Sequence, residues 1–80
     1  MRLKAIQRRA AIVAAAVRIA NERGLAEATF RTVSDHVIIP TSERLIRYHF
    51  TEHEKLWREV ANHPEATADV QEQARVLGVA

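Results

Sequence analysis

The chain has no cysteine, two glycines, two prolines and four aromatic residues (one Trp, one Tyr, two Phe) among its 80. Without cysteine there is no disulfide staple, no thiolate metal site and no thiol nucleophile. With so little glycine and proline, and no alternation of β-branched residues, the period to read is that of a helix. No glycine-rich phosphate loop, Ser-His-Asp order or paired-carboxylate pocket stands out, and a chain this short leaves little room for a substrate cleft. Enzymatic activity is not expected, and no cofactor is implied. The apolar stretch from Ala10 to Val17 falls far short of the roughly 20 residues of a membrane span. It also runs on into Arg18, Asn21, Glu22 and Arg23 without a cleavage site, so a signal peptide is not expected either. These exclusions leave one cytoplasmic domain over residues 1–80, small enough that a second copy of the chain is an expected source of further buried surface.

Charge is present but unevenly placed. The formal net charge is +2, and the isoelectric point is about 9.7. Half of the Lys and Arg residues lie at or before Arg23, whereas Glu52, Glu54, Glu59, Glu65, Asp69 and Glu72 fall in the second half. Such a distribution lets one part of the fold face phosphates, although a solvated surface has the same composition.

The apolar spacing predicts a first helix from about Leu3 to Arg23, with Ile6, Ala10, Val13, Val17 and Ala20 as its buried stripe, closed by Gly24 with Leu25 folding back. Thr29 is a suitable N-cap for a short second helix whose inner face is Phe30, Val33 and Val37. Pro40 stops that helix by about Ile38. Ser42 caps a third helix over Glu43 to His49. Leu45, Ile46 and Phe50 are its apolar side, and Glu43, Arg44, Arg47 and Tyr48 are its solvent side. Thr51 and Glu54 have the spacing of a capping box for a fourth helix, which turns Leu56, Trp57 and Val60 inward. A last helix is predicted from Pro64 to about Leu77. Its stripe of Ala66, Val70, Ala74 and Leu77 serves either core closure or pairing with a second copy.

Three of these blocks, in this order, resemble the N-terminal DNA-binding domain of TetR-type transcriptional regulators. Ile12-Val13-Ala14-Ala15-Ala16-Val17-Arg18-Ile19-Ala20-Asn21-Glu22-Arg23-Gly24 is similar to that family's first helix. Thr29-Phe30-Arg31-Thr32-Val33-Ser34-Asp35-His36-Val37 is similar to its second. Ser42-Glu43-Arg44-Leu45-Ile46-Arg47-Tyr48-His49-Phe50, followed by Glu54-Lys55-Leu56-Trp57, is similar to its recognition helix and the start of its fourth. The resemblance implies an all-α, homeodomain-like bundle of four to five helices containing a helix-turn-helix. The sequence departs from the pattern in three places. Ile38-Ile39-Pro40-Thr41 lengthens the turn by two residues, Ala20 replaces a core aromatic, and His53 stands where a Lys is usual. After about Val60 the chain is also too short for the family's ligand-binding domain, so no small-molecule effector is expected.

The function implied is repression by binding double-stranded DNA, in a short format that suits a phage or mobile element. The expected DNA-contacting residues are Thr29, Arg31, Thr32, Ser42, Glu43, Arg44, Arg47, Tyr48, His49 and His53. Arg reads guanine, Tyr and His reach phosphate or a base edge, Glu accepts from cytosine, and hydroxyls at helix starts bind phosphate. Lys4, Arg8 and Arg9 would add salt-sensitive contacts. The Thr51 hydroxyl could also donate to phosphate, and each of these residues has a plainer reading, as a solvated charge or as a helix cap in the cases of Thr29 and Thr51. His49 and His53 lack a third ligand and are not expected to bind metal. The alternative function is a protein-interaction module on the same scaffold, for which joint exposure of Ile38 and Ile39 would be the mark.

Overall fold

A computed structural model describes residues 4–79. It contains five α-helices: α1 (Ala5–Arg23), α2 (Phe30–His36), α3 (Glu43–Phe50), α4 (His53–Ala61) and α5 (Ala68–Leu77), with a 3-10 turn over Leu25–Glu27. No strand occurs among the described residues, and no helix there is long and apolar enough to cross a membrane. The radius of gyration, 11.7 Å, matches the roughly 12 Å of a compact chain of this length.

The architecture follows from α1, which packs against α2, α4, α5 and the 3-10 turn. A helix enclosed this way buries more than one stripe. Ile12, Val13, Ala15, Ala16, Val17, Ile19 and Ala20 are all buried, and the small alanines admit neighbouring backbones. The expected stripe is thus corrected at both edges. Val13, Val17 and Ala20 face inward, but Ile6 and Ala10 are exposed, because the first two turns of α1 meet the rest of the fold on their other side, where Arg8 and Arg9 are half-buried. Leu3, the expected start of the helix, lies outside the described residues. At the other end Gly24 takes φ +106°, and its N–H closes the helix on the Ala20 carbonyl at 2.8 Å. That conformation is strained for any residue with a Cβ. It turns the chain so that Leu25 enters the core.

Two of the expected caps are present. The Thr29 hydroxyl accepts from the Thr32 N–H (3.2 Å) and the Ser42 hydroxyl from the Leu45 N–H (3.1 Å), each worth about 1 kcal/mol of helix stability. Phe30 and Val33 of α2, Ile46 and Phe50 of α3, and Leu56 and Val60 of α4 complete the core, with Val37 and Trp57 packed at its margin.

The capping box at Thr51 and Glu54 does not form. α4 begins after Glu52 with no side-chain cap bond, because Thr51 is already the C-cap of α3. Its N–H bonds to the Arg47 carbonyl at 2.7 Å and its hydroxyl to the Phe50 carbonyl at 2.7 Å. The last helix also starts later than Pro64. Residues 62–67 form a turn, and Thr67 caps α5 by accepting from the Val70 N–H at 3.3 Å. Ala66, Val70 and Ala74 are buried as expected. Leu77 is 49% exposed, and Val79, after the helix-ending Gly78, takes the inner place instead.

Candidate functional site

The α3 helix has a sharply divided surface. Ile46 and Phe50, four residues apart, are fully buried, while Arg44, Arg47 and Tyr48 are open to solvent, Tyr48 at 78% exposure. Arg44 and Tyr48 are themselves four apart and so lie on one face. Arg47 is more constrained. It pairs with Glu43 one turn earlier at 3.0 Å, and its guanidinium lies 5.6 Å from the centre of the Phe30 ring. Glu43 is half-buried in that pairing.

His49 is half-buried, its ring edge-on to Tyr48 with centroids 5.7 Å apart. Its carbonyl accepts a hydrogen bond from Arg9 at 3.1 Å. The same Arg9 pairs with Glu59 and lies 4.3 Å over the Phe50 ring. One side chain of α1 thereby ties together the C-terminal end of α3 and the last turn of α4. Burial first, and then the nearby Arg9 and Arg8 guanidiniums, hold the His49 imidazole below its ordinary pKa.

On α2, Arg31 is exposed, and Thr32 is half-buried where its hydroxyl accepts from that of Thr29 at 3.0 Å. Thr29 is half-buried in its cap, and Ser42 remains exposed in its own. His53 points inward. Its Nε2 accepts the Phe30 N–H at 3.1 Å, and its ring stacks on Phe30 with centroids 4.0 Å apart. The imidazole that the sequence suggested for a phosphate contact is therefore engaged with the start of α2.

Of the ten candidate residues, then, Arg44, Arg47 and Tyr48 share the open side of α3, and Arg31 and Ser42 are exposed at the starts of α2 and α3. Thr29, Thr32, Glu43, His49 and His53 are wholly or partly committed to local structure. Ile38 and Ile39, in the connection between α2 and α3, separate: Ile38 is 83% exposed and Ile39 is half-buried.

Sequence reasoning did not find the side chains that fix this arrangement from a distance. Besides Arg9, Arg18 donates from α1 to the His36 carbonyl at the end of α2 (3.2 Å), and Trp57 Nε1 donates to the Ala28 carbonyl just before it (2.9 Å). Such contacts leave no local periodic signal.

Away from α3, an apolar groove of about 380 Å³ runs between the 3-10 turn and α5, with Leu25, Ala26, Gln73, Val76 and Leu77 in its walls. Val76 is 75% exposed beside it. Among the described residues no group of three or more His, Cys, Asp or Glu is placed to hold a metal ion. No protein-family model matches the chain, and neither a curated protein nor a solved structure matches it.

Proposed function

We propose that this protein is a small DNA-binding transcriptional regulator in which α2, the connection after it and α3 act as a helix-turn-helix, with α3 entering the major groove. The observation that carries this reading is the division of α3. Ile46 and Phe50 anchor it in the core, and Arg44, Arg47 and Tyr48 stand together on its outer side. An Arg can take guanine O6 and N7 bidentately, and a Tyr hydroxyl can bond a base edge or a phosphate. Glu43 restrains Arg47 through their hydrogen bond, which reduces the side-chain entropy lost on contact. Arg31 and the capping Ser42 are placed for backbone phosphates. The likeness of residues 9–60 to TetR-type DNA-binding domains supports the same reading.

A second copy would join through α5, where Val76 and Leu77 flank the apolar groove. Two copies of α3 would then address half-sites about 34 Å apart, one helical turn.

The test is fluorescence anisotropy on random duplex DNA at about 50 and 200 mM salt, comparing wild type with Arg44→Ala/Arg47→Ala. Binding that weakens steeply with salt, and by at least about tenfold in the double variant, is expected. A folded wild type that does not bind at the lower salt would refute the proposal. That result would favour the alternative, a protein-interaction module, whose mark, the joint exposure of Ile38 and Ile39, is met by Ile38 alone.

A further inference from the structure

The contact between α2 and α4 includes a hydrogen bond that rests on one nitrogen lone pair. The first N–H groups of a helix have no carbonyl partner within it. In α2 the Thr29 hydroxyl serves Thr32, and the Phe30 N–H is taken by His53 Nε2 at 3.1 Å. A side chain of α4 thus caps α2. Its ring lies nearly parallel to the Phe30 ring, at 18° and 4.0 Å between centroids. Trp57, one turn along α4, sits 5.8 Å from the same imidazole and donates to the Ala28 carbonyl at 2.9 Å. His53 and Trp57 together hold residues 28–30 against α4.

An imidazole nitrogen that accepts an N–H is unprotonated, so the neutral ring here carries its hydrogen on Nδ1. Adding a proton at Nε2 sets two N–H donors against each other at a half-buried position. The charged groups that face the ring come from α3: Arg47, which opposes the imidazolium, and Glu43, which favours it while pairing with Arg47 at 3.0 Å. The rings packed on it from α2 and α4, Phe30 and Trp57, are uncharged, and the adjacent carboxylates at the start of α4, Glu52 and Glu54, are exposed to solvent.

We propose that His53 is an acid-sensitive latch: neutral, it fastens the N-terminus of α2 to α4, and protonated, it releases α2 and loosens the seat of α3. The shift of its pKa agrees in direction. Burial first, and then Arg47, lower it below the ordinary 6.5, with Glu43 opposing. A base whose pKa is lower in the folded chain than in the unfolded chain contributes its full stability above the unfolded value. That contribution declines as pH falls through 6.5 and is gone below the folded pKa. Within the window the folding constant drops by up to about tenfold per pH unit. The latch is a property of the free protein and stands whether or not α3 binds DNA. Where α3 does bind DNA, acid would weaken binding, whereas a His53 that touched phosphate would tighten it.

The experiment is an NMR titration of the full chain from about pH 8 to 4.5, following the His53 ring, the Phe30 amide shift and the Phe30 protection factor. A His53 midpoint below 6.5, with the Phe30 amide moving at the same midpoint and its protection falling up to about tenfold per unit, is expected. His53→Gln, whose Oε1 replaces Nε2 as a non-titrating acceptor, should keep Phe30 protected throughout and shallow the acid slope of unfolding. A His53 that titrates at or above 6.5 while Phe30 stays unmoved overturns the latch, as does a folded His53→Gln with an unchanged acid slope. Should His53→Gln fail to fold, the wild-type titration alone decides: shared midpoints sustain the latch and separate ones overturn it.

Discussion

Two flanks of α1 solve the same problem with different chemistry. On one flank, the ends of α2 and α3 are held by side chains from other helices: Arg18 on the His36 carbonyl, Arg9 on the His49 carbonyl, and His53 on the Phe30 N–H. On the other, the approach to α5 is held mainly by amides. Asn21 donates to the Glu65 carbonyl (3.0 Å) and accepts from the Thr67 N–H (3.1 Å), and Gln73 accepts from the Leu25 N–H (2.7 Å), with Arg58 on the Val79 carbonyl (3.1 Å). Both flanks need such pins, because helices of seven to ten residues are too short to persist by propensity alone. The difference lies in what can disturb them. Charged and titratable pins respond to salt and pH, and neutral amides do not, so the flank bearing the exposed arginines of α3, where all three of these pins are charged or titratable, is the more open to tuning by solution conditions.

Replacing an amide pin gives the largest expected effect. In Gln73→Met the Leu25 N–H loses its acceptor while Leu25 remains in the core, which costs about 1–3 kcal/mol. The loss should be the same at low and high salt and at pH 6 and 8, measured by urea unfolding. A clear dependence on either condition would break the contrast between the flanks.

A charged pin should behave otherwise. Arg9→Met removes the bond to the His49 carbonyl, the contact over Phe50 and the pair with Glu59, all at a side chain that is 39% exposed. A loss of about 1–2 kcal/mol is expected, and raising the salt to about 1 M should narrow the gap between variant and wild type. Arg9 also helps to hold the His49 pKa down, so the His49 ring should titrate at higher pH in the variant. A salt-independent loss with an unmoved His49 would assign Arg9 a packing role only.

The helices and their order could be read from the sequence because those signals are local. Thr29 and Ser42 precede their helices as caps do, Gly24 and Pro40 interrupt where they must, and the split of α3 into Ile46 and Phe50 against Arg44 and Tyr48 is written in its four-residue spacing. The burial of Ile12, Ala15, Ala16 and Ile19 was not legible, since it depends on how many neighbours α1 has and not on its own period. The pins were hidden for the same reason: Arg9 meets His49 forty residues away, and Asn21 meets Thr67 across forty-six. His53 was misplaced because a cap supplied by another helix looks, in sequence, like an exposed residue at a helix start. Thr51 misled in a different way. It fits a capping box by spacing, but only Thr51 and Glu52 separate α3 from α4, and the end of α3 claimed its backbone and hydroxyl first.

Thr51 also gives the smallest expected effect and the closest test of how the pins cooperate. It sits at φ +58° and ψ −42°, in a tight turn where the Glu52 N–H reaches the Phe50 carbonyl at 2.5 Å. A β-branched residue there carries about 1–3 kcal/mol of strain, which persists only where the surroundings over-determine the backbone. Those surroundings are the two pins on either side, Arg9 on the carbonyl of His49 and His53 on the N–H of Phe30. In Thr51→Gly the strain is relieved, offset by the lost hydroxyl bond and by the greater entropy of glycine in the unfolded chain. The net gain should be roughly 0.5 kcal/mol. If the pins impose the strain, the gain shrinks when Arg9→Met is already present, and a double-mutant cycle reads that coupling directly. An undiminished gain would show that the joint between α3 and α4 is strained by its own two-residue length, independently of what α1 holds in place.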